Sequence, residues 1–108
     1  MGRRDRRGPG ADVLLGRALA ASAAAAGARL EIGDSAAEPW HSATFSGARH
    51  AIRAEAYAGP AVARWLDELG PEAVHVPGHL VADVAFSCAD AGAERLSLRF
   101  DALTVAGV

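Results

Sequence analysis

The sequence predicts an α+β fold, a mainly antiparallel sheet of four to five strands with two helices packed on one face. Three observations predict it. Residues 60–69 carry apolar side chains at helical spacing between Pro60 and Gly70, and residues 12–26 form a second, alanine-rich stretch of the same period. The remaining segments alternate apolar and polar residues around short turns, the pattern of half-buried strands. The resulting order is α-β-β-β-α-β-β within one domain over residues 11–108, preceded by a flexible basic arm at 1–10.

Each element follows from local chemistry. Asp12 is the expected N-cap of the first helix and Gly27 its C-terminal stop. Leu14, Leu15, Leu19 and the alanines leave Arg17 as the one charge inside it, so the helix is apolar nearly all round. Leu30 and Ile32 alternate with Arg29 and Glu31 in a short strand at 28–32, and 33–39 reads as a loop. From Trp40 to Tyr57 the pattern is a hairpin, with Ser46-Gly47 as the expected turn. That register places His41 and His50 together on the apolar face and Trp40, Arg49 and Arg53 on the other.

Val62, Trp65, Leu66 and Leu69 recur at i, i+3, i+4 and i+7 in the second helix, which opens on Pro60. Two more strands are expected at 74–89 and 94–106, around Asp90-Ala91-Gly92. Leu80, Ala82, Val84, Phe86 and Cys88 form the expected inner face of the first. In the second, the inner set Leu96, Leu98 and Phe100 changes parity to Leu103 and Val105, which predicts a bulge near Asp101 or a strand end covered on both faces.

Composition narrows the function. Hydrophobic residues make up 51% of the 108, enough to fold, yet about a quarter of the chain is alanine and large apolar side chains are few. All eleven basic residues are arginine, as GC-rich coding favours. With no lysine, Schiff-base and phosphate-loop lysine chemistry is excluded. The net charge of −2 hides an asymmetry: Arg3, Arg4, Arg6 and Arg7 against Asp5 give +3 in the arm, which leaves −5 for the body. A nucleic-acid-binding domain is normally basic, so nucleic acid is an unfavoured partner, reachable only through the arm. The single Cys88 allows no internal disulfide and no cysteine-rich zinc site.

A cytoplasmic location is expected from the lone cysteine and from the absence of a membrane-spanning apolar run. The alternative is a secretory or twin-arginine signal over residues 1–28, where arginines precede Val13-Leu14-Leu15 and a run of small residues.

Chemistry, if present, falls to the histidines. His75 and His79 flank Val76-Pro77-Gly78, and a regular strand puts Asp83 on the face of His79, so the three form a candidate ligand set. Pro77-Gly78 forbids the helix that would make the His pair a metal motif, so no bound metal and no cofactor is expected. His41 and His50 are a candidate acid–base or ligand-binding pair. Neither Ser42 nor Ser46 beside His50 has the strand–turn–helix setting of a nucleophile. Trp40 with Arg49 and Arg53 makes a candidate partner-binding surface. The expected function is a non-enzymatic domain that self-associates as a homodimer and is open to a protein partner. The alternatives are a small-molecule or metal-binding domain, or an enzyme, using His41/His50 or His75/His79, and a weak nucleic-acid binder using the arm.

Overall fold

In the computed structural model, which describes residues 10–92 and 94–106, helix α1 (Ala11–Ala25) leads into β1 (Leu30–His41) and β2 (Ser46–Tyr57). Helix α2 (Pro60–Glu68) and one turn of 3-10 helix (Pro71–Ala73) then cross to β3 (His79–Ala91) and β4 (Arg95–Ala106). The four strands form one antiparallel sheet in the order β1-β2-β4-β3. The expected α+β class, with the antiparallel sheet and two helices, is the one observed. The expected arm lies outside the described residues except for Gly10.

Helix α1 starts one residue earlier than its expected cap. Gly10 occupies the N-cap, and Asp12 sits in the first turn, where the helix dipole favours its charge. The helix ends in a double reverse bond, Ala28 N–H to Ala23 O (2.8 Å) and Gly27 N–H to Ala24 O (3.0 Å). That motif needs a left-handed residue, which Gly27 supplies at φ 84°.

The separate strands expected at 28–32 and from Trp40 are one strand. Gly33 and Asp34 bulge out opposite Arg53 between the Ile32–Ala54 and Ser35–Ile52 pairs, so the order is α-β-β-α-β-β. The β1–β2 turn is also displaced. His41 pairs with Ser46, and Ser42 closes the turn by donating its backbone N–H to Phe45 O, while its Oγ accepts from Phe45 N–H at 3.0 Å. Gly47 is therefore a strand residue. Its backbone passes so close to the Thr104 carbonyl that a Cβ would collide there and meet Trp40 at 3.0 Å.

Both helices cover the same face of the sheet. Leu15, Leu19 and Ala23 of α1 and Val62, Trp65 and Leu66 of α2 join Leu30, Ile52, Leu98, Phe100 and Val84 in one buried cluster. Leu14 packs partly against it, so α1 is better covered within the chain than its sequence suggests, with Val13 left exposed. Trp65 stands 5.8 Å from Phe100, centroid to centroid, and donates its Nε1–H to Ser22 Oγ at 2.9 Å, which ties the two helices together.

Strand β3 departs most from expectation. Residues 74–78 are not strand: after the 3-10 turn, Val74 and Val76 are buried and Pro77-Gly78 make a tight turn closed by His79 N–H on Val76 O. Bulges at Ala82 and Ala89 then break the alternation. Val81 and Val84 are buried, whereas Leu80, Phe86 and Cys88, expected inside, are exposed.

Trp65→Ala should destabilise the domain by about 3–5 kcal/mol, the cost of emptying a large aromatic site. Urea unfolding followed by circular dichroism measures it, and a loss under 1 kcal/mol would show that Trp65 is not the centre of the core.

Candidate functional site: a buried histidine and a bare sheet face

The even-numbered residues of β2 and β4 face the helices, and so does His50, whose side chain is fully buried. Its imidazole sits in a chain of three elements. Nδ1 lies 2.8 Å from Asp12 Oδ1 on α1, and Nε2 lies 2.8 Å from Thr104 Oγ1 on β4. A carboxylate can only accept, so Nδ1–H donates to Asp12, while Nε2 on the other side of the ring is hydrogen-bonded to the Thr104 hydroxyl. Thr104 is 0% exposed.

The acid–imidazole–hydroxyl connectivity is that of a nucleophilic triad, but a sealed hydroxyl has no substrate to attack. Physically, this is a polar strut that satisfies the only two buried polar side chains among the described residues and holds the first turn of α1 on β2 and β4. It also explains the parity change in β4. The strand pairs with β2 without interruption from Arg95 to Val105, so there is no bulge near Asp101. Threonine takes the core position because His50 needs a partner there, and Leu103 and Val105 turn to the opposite face.

His41 does not join His50. It lies on the same side of the sheet but pairs with Ser46 at an exposed strand end, while His50 pairs with Ala37. Four strand residues, about 13 Å, separate them. His75 and His79 border one shallow recess of about 360 Å³ with Glu72, and His79 Nδ1 lies 3.1 Å from Pro77 O. Asp83 is not with them. The bulge at Ala82 inverts the alternation, so Asp83 pairs with Leu103 on the opposite face from His79. Among the described residues no three His, Cys, Asp or Glu side chains are grouped to hold a metal ion. Nor is any described helix long and apolar enough to cross a membrane.

Trp40, Arg49 and Arg53 share the face that no helix covers. Its side chains form rows across the strands. At one end Trp40, Gly47, Val105 and Leu80 lie side by side, followed by Glu38, Arg49, Leu103 and Asp83, then Ala36, Ala51, Asp101 and Ala85. The other end is charged: Arg53, Arg99 and Ser87 in one row, Glu31, Glu55 and Ser97 in the next, with Tyr57 and Arg95 beyond. Arg95 bonds Glu31 at 3.0 Å and Glu55 at 2.5 Å and lies 4.9 Å over the Tyr57 ring. The hydrogen bonds it donates to Glu31 and then Glu55 push its pKa above the usual arginine value.

His50→Ala should cost about 2–3 kcal/mol, because it strands a buried hydroxyl and leaves a void. Asp12→Ala should cost only about 1 kcal/mol, since that carboxylate already meets solvent. Equal, negligible losses for both in denaturant titrations would show that the strut bears no weight. No family model, curated protein or solved structure matches the chain, so its function has to be read from these faces.

Proposed function

We infer that the chain is a non-enzymatic interaction domain that pairs with a second copy of itself through the apolar end of its bare sheet face. One observation carries this reading: both helices protect one side of the sheet, and on the other side Leu80 is exposed while Trp40, Ala51, Leu103 and Val105 beside it are only half-buried. Leu80 alone is 52% exposed. A contiguous apolar patch on a sheet is characteristic of a docking surface.

A second copy is the occupant that suits the rim of the patch. Arg49 lies between Glu38 and Leu103, with Asp83 across the next strand, so both signs of charge frame the same apolar centre. A two-fold stack brings Arg49 of one copy onto an acidic residue of the other, and the reverse, which is the self-complementarity an isologous interface requires. Face-to-face stacking is favoured over edge pairing. β1 carries a bulge and Pro39, and β3 carries two bulges, devices that spoil a strand edge as a template. Among the described residues the histidines favour no enzymatic reading: His50 is sealed, His41 stands apart from it, and His75 and His79 belong to no group of three that could hold a metal ion.

Sedimentation at micromolar concentration should show a species of twice the 11.0 kDa chain mass. Leu80→Glu and Leu103→Glu should each shift it to the single-chain mass while leaving the circular dichroism spectrum intact. A wild-type protein that stays at 11.0 kDa throughout would sink the reading.

A further inference from the structure

The charged end of the bare face carries a feature that neither folding nor pairing with a second copy explains. Arg53 and Arg99 are directly opposite each other on β2 and β4. Side chains so placed stand about 5 Å apart at their Cβ atoms, and like charges there repel. Neither guanidinium covers the core, since both project from the face away from the helices.

Their partners differ. Arg99 donates from Nε and one Nη to Asp101 Oδ1, at 3.1 and 2.9 Å, which fixes its plane. Arg53 has no carboxylate within ion-pair distance among the described residues. The nearby carboxylates of Glu31 and Glu55 are already engaged by Arg95. Arg53 is thus left without a carboxylate partner beside Arg99, whose charge Asp101 meets, in a recess of about 560 Å³ that Ser97 also borders.

The geometry points to a receptor for a small phosphate monoester, its phosphate held between Arg53 and Arg99 and its organic part lying in the recess. Two adjacent guanidinium forks match the several oxygens of a phosphate, and a dianion between them replaces repulsion with charge-assisted hydrogen bonds. The volume is that of a small-ligand site and exceeds what a bare ion fills. The recess wall selects the rest of the ligand. Glu31, Asp34 and Glu55 line it with acceptors, which suit an ester that carries hydroxyl groups, such as a sugar phosphate. The site lies about 13 Å along the strands from Leu103, so it does not rest on the pairing of two copies.

The test uses the full chain with inorganic phosphate, glucose 6-phosphate, glucose and acetate. Saturable shifts of the Arg53 and Arg99 Nε–H resonances are expected with inorganic phosphate and glucose 6-phosphate, the latter binding more tightly, and none with glucose or acetate. Arg53→Gln and Arg99→Gln should each lower glucose 6-phosphate affinity about tenfold, whereas Arg17→Gln on α1 leaves it unchanged. Affinity should fall as sodium chloride is added, because the site is open to solvent. Unmoved Nε–H resonances in the native protein, undiminished binding by the two variants, or acetate binding as well as phosphate would each overturn the proposal. Sedimentation of Leu80→Glu separates this result from self-association, since that variant should keep the site as a single chain.

Discussion

The domain depends on one contact layer, in which Trp65 of α2 meets Phe100 of β4 beneath the two helices. A chain so rich in alanine has few side chains able to span the gap between a helix and a sheet. Those few are concentrated on one side: Leu15, Leu19, Ile52, Leu98 and Phe100 are almost wholly buried there. Alanines at 54, 56 and 102 fill the spaces between them, which lets the helices approach closely but adds little apolar area. The core is therefore one layer deep, and polar links such as Trp65 to Ser22 and the Asp12–His50–Thr104 strut contribute where bulk is missing.

Burial on one side leaves the other face free of folding duty. Its rows change from aromatic and aliphatic, through charges of both signs around Leu103, to small residues with Asp101, then basic, then acidic, along the length of the strands. A face kept only for solubility has no need of that order, since scattered charges of both signs serve equally well. The graded arrangement is what makes two neighbouring surfaces with different chemistry available on so small a domain.

Much of the fold was legible in the sequence because Pro60, Gly27 and the spacing of Val62, Trp65 and Leu66 act locally. The errors arose where a bulge reset the alternation. Gly33-Asp34 looked like a loop and joined two expected strands into one, and Ala82 carried Asp83 away from His79. A bulge built from alanine leaves no composition signal to read. The placement of Trp40, Arg49 and Arg53 on one outer face survived a misplaced turn, because the true register kept the same parity. The His50 strut was half visible. Its position among apolar residues marked it as needing a partner, but Asp12 was read as a helix cap, and the change of parity at Thr104 gave the clue without the pairing. Contacts across 38 and 54 residues cannot be seen in a local pattern.

That same strut sets an order on biosynthesis. Helix α1 is made before the sheet, but the hydroxyl that completes its anchorage, on Thr104, follows the helix's last residue, Ala25, by 79 residues. At ordinary ribosomal speeds this interval is roughly 4–16 s, far longer than a helix takes to form. For that time the nascent chain carries an alanine- and leucine-rich helix whose docking surface is still incomplete. Leu15 and Leu19, sealed in the finished domain, are then open to any apolar surface nearby, so chaperone dependence should be set by the interval between α1 and β4 and not by the stability of the folded protein.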